Sequence, residues 1–369
     1  MEIIHVVLGK ANPNRMNGVN KVVHELATRQ TANGEKVSLW GITKYTKHDY
    51  PDRVYITRLF KARRNPFALD RQLRAALDEK KEGAVFHLHG GFIPAWSTLA
   101  KALRERNIPY VFTAHGSYNT IAMQRSGWRK KLYFRWFEKR LLTGAQAVHC
   151  LGKSEVTGLH SIYSNDKTVL IPYGYESPSF LTLPVYRGKF IIGFCGRLDI
   201  YTKGLDLLLQ AFARVLDQLP KAELWIIGDS KHRGQLEAMA LQLGIKDHVV
   251  FHGSRFDQEK TEILGKLHVF AHPSRNEGLP TAVLEAASLG IPCVVTEATN
   301  LGDPIRQFHC GEVVRDPDAR QLSLALLQMH ERIAGGELAL LSANARRMVR
   351  EGFNWKKIVR HFHDLYVRA

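Results

Sequence analysis

The 369-residue sequence contains no apolar run that approaches the roughly 20 residues needed to cross a bilayer as a helix. Residues 1–10 are too short, and too soon followed by polar loop residues, to read as a secretory leader. The sequence is also poor in cysteine. Cys150, Cys195, Cys293 and Cys310 are widely spaced and form no CxxC pair, which argues against zinc sites and disulfides; three of them lie in strand-like apolar runs and read as buried thiols. No tandem repeat or low-complexity tract is visible. These absences leave a globular protein, expected in the cytoplasm, with the length for two domains.

Acidic residues are scarce in one half only. Residues 1–185 hold 28 Lys/Arg against 14 Asp/Glu, net +14, whereas residues 186–369 hold 24 against 21, net +3. The excess points to an anionic partner for the first half, whether nucleic acid, a membrane surface or an anionic substrate.

Short, continuously apolar, β-branched runs alternate with helical patterns of 10 to 15 residues. In the first half these are IIHVVL (3–8), KVSLW (36–40), VFHLHG (85–90), YVFTAHG (110–116) and AQAVHCL (145–151), with a helix from about Gly18. In the second they are FIIGFCG (190–196), ELWIIGD (223–229), HVVFHG (248–253), HVFAHPS (268–274), PCVVT (292–296) and GEVV (311–314). Such alternation predicts an α/β protein with two doubly wound, Rossmann-like parallel sheets. The aperiodic, proline-containing residues 176–189 read as the linker. The predicted domains are 1–175 and 190–352, with a terminal helix over 353–369. Open parallel sheets bind ligands beyond the carboxyl ends of their strands, so the residues that follow each strand are the candidates.

After FIIGFCG come Arg197 and, six residues on, Lys203 and Gly204, just before a helical pattern. After HVFAHPS comes RNEGLPT (275–281), where Gly278 lets an anion approach the backbone and Pro280 suits a first helical position. The amides of Gly278, Leu279 and Thr281 would then face outward, and with Arg197 and Lys203 they form a candidate diphosphate site. Glu277 stands at its mouth. Glu285, two turns along the predicted helix and on a nearby face, is set among Ala282, Val283, Leu284, Ala286 and Ala287, where an unpaired carboxylate is costly. One glutamate can hold sugar hydroxyls and the other ribose hydroxyls, although each charge taken alone also fits a helix-dipole or surface role.

GRLDIYTKG (196–204), IIGD (226–229) and EGLPTAVLEA (277–286) resemble the C-terminal domain of retaining GT-B glycosyltransferases, specifically glycosyltransferase family 4. MNGVNKVVHELATRQ (16–30), FHLHGG, FTAHGS and IPYGYE resemble the family's N-domain elements, with Asn17 in place of the usual first glycine and Tyr173 where asparagine is common. The resemblance implies that Arg197 and Lys203 bind the diphosphate, Glu277 the donor sugar and Glu285 the ribose. It also places Gly18 and Gly228 at the donor and His115 at the reacting sugar, and it has the terminal helix cross back onto the N-domain, with the two sheets facing across a cleft. No cofactor and no catalytic metal are expected; Asp316-Pro317-Asp318 reads as a turn and helix cap.

Residues 125–142, RSGWRKKLYFRWFEKRLL, hold seven Lys/Arg, one acid and five aromatics. On a helix, Trp128, Leu132 and Trp136 align, as do Tyr133, Phe137 and Leu141, while Arg129, Lys130, Lys131 and Arg135 supply charge. Two readings stand: the aromatics pack on the sheet beneath a solvated basic face, or the helix meets an anionic membrane or a lipid-linked acceptor. Nothing else in the chain supplies a nucleic-acid module. The expected function is therefore sugar transfer, with retention, from a UDP- or GDP-sugar to a glycan or lipid-linked saccharide of a surface polysaccharide or lipopolysaccharide, at the inner face of the cell membrane. The alternatives are a sugar-nucleotide epimerase or phosphorylase on the same fold, and a non-catalytic basic binding protein.

Overall fold

A computed structural model describes residues 1–12, 18–47, 53–80, 83–119, 123, 127–176, 185–315 and 318–368. Asn17, Arg125, Asp316, Pro317 and most of the linker lie outside them. The chain forms two compact units, Met1–Tyr173 with Trp355–Ala369, and Gly174–Asn354.

In the N-terminal unit the strands are β1 (Glu2–Leu8), β2 (Lys36–Thr43), β3 (Ile56–Lys61), β4 (Ala84–His89), β5 (Tyr110–Thr113), β6 (Ala147–Cys150) and β7 (Thr168–Leu170). All pair in parallel in the order β3-β2-β1-β4-β5-β6-β7. The C-terminal unit repeats the plan with β8 (Ile191–Cys195), β9 (Glu223–Ile227), β10 (Val249–Gly253), β11 (Val269–His272), β12 (Cys293–Thr296) and β13 (Gly311–Val314), ordered β10-β9-β8-β11-β12-β13. The strand order of each sheet reverses once, between β1 and β4 and between β8 and β11, which are the positions where such sheets open a crevice for ligands.

Most of the apolar runs chosen from sequence become central strands because both faces are covered, while those at β10 and β13 form the edges of the second sheet; β4, β5, β6, β11 and β12 are buried at every position. The two edge strands of the N-terminal unit, β3 and β7, escaped the sequence reading. β3 carries Arg58 and Lys61 and has one buried residue, Phe60, while β7 is three residues long and has none. A half-exposed edge needs no apolar continuity.

The last helix, Trp355–Val367, belongs to the N-terminal unit, burying Ile358, Phe362 and Tyr366, with Tyr366 hydroxyl 2.7 Å from His87 Nδ1 of β4. In the C-terminal unit, β8 and β9 end where Gly196 and Gly228 let the backbones touch. Gly228 has φ +139°, and a Cβ there would lie 1.9 Å from the Gly196 carbonyl oxygen. Gly228→Ala is therefore expected to destabilise the C-terminal unit by about 2–5 kcal/mol through strain and overpacking. Urea denaturation would show this as a lowered midpoint, and an unchanged midpoint would contradict the close approach.

Candidate functional site

The turn after β8 is built in short steps. Asp199 caps the one-turn helix Ile200–Lys203, accepting from the Thr202 amide at 3.1 Å. Gly204 then takes φ +67°, and a Cβ there would meet the Pro273 carbonyl oxygen at 2.1 Å. This turn holds Lys203 against the exit of β11. Arg275 secures the contact from the other side: its amide donates to the Thr202 carbonyl at 2.9 Å, and its guanidinium grips Asp206 with two bonds of 2.7 and 2.8 Å. It also lies over the Tyr201 ring at 4.5 Å.

Lys203 and Glu277 are thereby brought together across the switch point. Glu277 Oε1 receives the Lys203 ammonium, His272 Nε2 at 2.9 Å and the Ser274 hydroxyl at 2.9 Å. Burial alone would raise the Glu277 pKa, but the His272 hydrogen bond and the Lys203 charge outweigh it and hold the carboxyl at about 2. His272 stacks with Phe194 and Phe270, with interplanar angles of 9° and 12°, and burial keeps its pKa below the usual value. Asn300 Nδ2 donates to the Gly278 carbonyl at 2.6 Å, turning that peptide's oxygen inward. Among the described residues the Gly278 and Leu279 amides donate to no backbone or side-chain acceptor.

Three sequence expectations need adjustment. The helix begins at Thr281, with Pro280 as its N-cap residue at ψ 102° rather than at its first helical position. Glu277 therefore lies in the loop, so helical spacing does not relate it to Glu285, which is about one turn into the helix rather than two. Finally, the Glu285 carboxylate is already paired with Lys260 at 2.7 Å, both side chains being about four-fifths buried. That partner sits on a separate helix, Asp257–Leu264, and no local spacing in the sequence announced it. Arg197 is present at the same turn but 70% exposed, with Asp199 3.8 Å away. Gly228 closes the neighbouring strand end.

In the N-terminal unit, Gly18 opens the helix Gly18–Ala32, with open space where a Cβ would sit. His115 follows β5 in the left-handed region at φ +55°. The turn is held by Glu155, which accepts from the Gly116 amide at 2.5 Å and the Leu151 amide at 3.0 Å. Tyr173 stacks on the His115 ring at 5.9 Å, so the residue that replaces the family's asparagine braces the histidine. Glu155 was missed from sequence, being one acid in an ordinary amphipathic helix. Also missed was a cluster of fully buried histidines, His5, His87, His89 and His149, inward-facing in β1, β4 and β6.

The two aromatic stripes of residues 127–144 turn opposite ways. Tyr133 and Phe137 pack on Phe67, and Leu141 is buried. Trp128, Leu132 and Trp136 are 69%, 51% and 54% exposed, beside exposed Arg129, Lys131 and Arg135. A π-helical turn over Phe134–Glu138 sends Phe134 and Glu138 inward, where Glu138 accepts from the Tyr118 hydroxyl and the Phe92 amide. Lys130 lies over the Phe92 ring at 5.2 Å and is thus partly engaged in packing. Asp318 caps the helix Ala319–Arg332 through the Arg320 amide, in keeping with a capping role for that residue. All four cysteines are buried and unpaired. Among the described residues no helix is long and apolar enough to cross a membrane.

Comparison with known proteins gives the class first. The fold matches a sucrose-phosphate synthase from Thermosynechococcus elongatus with TM-score 0.77 and 22% identity, over 100% of this chain and 98% of the other. It matches Anabaena Alr3699/HepE, solved in complex with UDP and glucose, with TM-score 0.76 and 16% identity over 100% of both chains. The fold is GT-B. Residues 182–347 match the family model described as glycosyl transferases group 1 and residues 16–177 that described as glycosyltransferase family 4. The chain belongs to glycosyltransferase family 4. Among curated relatives, the lipopolysaccharide glucosyltransferase WaaG of Escherichia coli is 29% identical over 38% of each chain. The putative glycosyltransferase EpsF of Bacillus subtilis is 26% identical over 61% of this chain and 60% of its own. Each match spans less than two thirds of the curated relative's length.

The buried groups of the N-terminal unit set an acid limit. Burial lowers His5 and His149 to about 4 and His115 to about 3, and His87 and His89 further below the usual value, while it raises Glu138 and Glu155 to about 7. The unfolded chain takes up protons at the five histidines as pH falls through about 6.5, and the folded unit does not, so their stability contribution is full above that pH and declines below it. The two glutamates act oppositely, their folded form gaining protons from about pH 7 downward. Five groups outweigh two. Between about pH 7.5 and 5.5 these groups together are expected to cost about 3 kcal/mol. Urea unfolding at the two pH values checks this; equal stability would contradict it.

Proposed function

We propose that this protein transfers a sugar from a nucleotide sugar, UDP- or GDP-linked, to a glycan or lipid-linked acceptor, with retention of anomeric configuration. The observation that carries the reading is the Lys203–Glu277 pair set beside the open Gly278 and Leu279 amides at the switch point of the C-terminal sheet. A cation and two amides suit a diphosphate, and the fixed anion beside them suits the hydroxyls of the attached sugar. The UDP and glucose named for the Anabaena structure, and the glucosyltransferase activity named for the E. coli relative, support the same substrate class.

Breaking the bond from anomeric carbon to phosphate leaves negative charge on the nucleotide. Lys203, Arg197 and the amides act where that charge develops, which lowers the barrier more than it stabilises the bound donor. Glu277 has no proton to give at neutral pH, so it does not serve as the general acid. Three donors on one of its oxygens also weaken it as a nucleophile, unlike the second carboxylate of a retaining glycosidase. Attack from the face the phosphate leaves, with that phosphate accepting the acceptor's proton, fits these groups best. In this proposal Glu285, with Lys260 as its charge partner, takes the ribose, Gly18 and Gly228 belong to the donor site, and His115 serves the reacting sugar. Lys203→Ala and Glu277→Gln are each expected to lower kcat by about 10²–10³-fold. Acceptor-dependent release of nucleoside diphosphate measures this, with the anomer of the product read by NMR. Donor consumption that needs no acceptor would point instead to an epimerase, consumption that needs inorganic phosphate to a phosphorylase, and activity unchanged in both variants would sink the assignment.

The exposed Trp128, Leu132 and Trp136 stripe with its flanking cations favours docking on an anionic membrane, at the inner face of the cell membrane, where lipid-linked acceptors are held. Arg129, Lys131 and Arg135 are worth about 1 kcal/mol each near such a surface, or roughly 100-fold in partitioning together. Replacing all three with glutamate is expected to abolish binding to anionic vesicles in a sedimentation assay. Wild-type protein that binds neutral and anionic vesicles equally, or neither, would contradict the docking.

A further inference from the structure

The buried histidines form two hydrogen-bonded files whose direction follows from the groups at their ends. In one, the Ile171 carbonyl can only accept, so His149 Nε2, 2.6 Å away, carries a proton. A neutral imidazole then has its other nitrogen as an acceptor, and His149 Nδ1 takes the Thr113 hydroxyl proton at 2.7 Å. The Thr113 oxygen accepts from His87 Nε2 at 2.6 Å, which leaves His87 Nδ1 to accept from Tyr366 at 2.7 Å. The Tyr366 proton is therefore committed to His87.

The second file takes its direction from Gln30. The Gln30 amide turns its oxygen to His5, and an amide oxygen can only accept, so His5 Nε2 donates to it at 2.7 Å. His5 Nδ1 accepts from His89 Nε2 at 3.0 Å, and His89 Nδ1 accepts from His115 Nε2 at 3.0 Å. The file ends on His115 Nδ1, a lone pair that meets no hydrogen-bond donor among the described residues, on a ring that is half-buried where the others are buried. His5, His87 and His89 also have nitrogens within 4.8 Å of one another, as a metal site would. All six of their ring nitrogens are already hydrogen-bonded, so a metal would have to displace existing partners.

We propose that Gln30, His5 and His89 are positioning residues that hold His115 as the neutral Nε2–H tautomer and so present Nδ1 as an acceptor for one hydroxyl of the bound saccharide. An outward lone pair selects a hydroxyl at that point and repels a carboxylate or phosphate oxygen, which sets a neutral sugar apart from an acidic one. The ligand part rests on the proposed function; the tautomer does not.

The test uses full-length protein labelled with ¹⁵N-histidine and two-bond ¹H–¹⁵N correlation at neutral pH, with His115 assigned by His115→Gln. The expected result is the Nε2–H tautomer at His5, His89 and His115. In Gln30→Met the file loses its terminal acceptor, so His115 is expected to show mixed tautomers and KM for a neutral-sugar donor to rise roughly three- to tenfold, the worth of one neutral hydrogen bond, with kcat little changed. Gln30→Glu keeps an oxygen toward His5 and is expected to restore the wild-type tautomer. A wild-type His115 in the Nδ1–H or charged form, or a Gln30→Met spectrum and KM identical to wild type, overturns the proposal. The wild-type spectrum needs no substrate, so a protein that transfers no sugar yet shows the expected tautomer faults the functional reading and not the relay.

Discussion

The candidate donor site depends on a carboxylate kept charged while almost out of reach of water. Burial alone pushes Glu277 toward its neutral form, and the His272 hydrogen bond with the Lys203 ammonium reverses that preference. The surrounding architecture serves the contact. Asp199 and Gly204 shape the turn that delivers Lys203, Arg275 ties that turn to the exit of β11, and Asn300 fixes the peptide that exposes the next amides. Cation, anion and open amides are thus set before any ligand arrives, which spares a bound donor the cost of arranging them.

The N-terminal unit solves a different problem with the same topology. Its strands β1, β4 and β6 and the turn after β5 bring five imidazoles together, and burial lowers their pKa values, so they join through hydrogen bonds rather than charge. Tyr173 and Glu155 clamp the final member, one by stacking on its ring and the other by holding the turn that follows it. Part of its excess positive charge, Arg129, Lys131 and Arg135, lies on the exposed face of the helical segment that carries Trp128 and Trp136.

Much of this was legible in the sequence, for physical reasons. Buried parallel strands must be apolar, so the runs that became β1, β4, β5, β8 and β11 stood out, and the rule that ligands gather past strand ends led to Arg197, Lys203 and Glu277. The membership in glycosyltransferase family 4 was legible in the same residues. What stayed hidden was long-range or unpatterned. β3 and β7 are edges without apolar continuity, the Lys260 partner of Glu285 lies 25 residues upstream on another helix, and Pro280 caps the helix that it was expected to begin. The histidine files join residues from position 5 to position 366, and each histidine, read alone within a strand, is only a polar residue in an apolar run.

A crystal structure of the protein grown with a nucleoside diphosphate tests the central claim most directly. The account predicts a phosphate oxygen within hydrogen-bond distance of Lys203 Nζ and of the Gly278 or Leu279 amide. A diphosphate bound elsewhere, with Lys203 and Glu277 locked on each other and remote from it, would contradict the account.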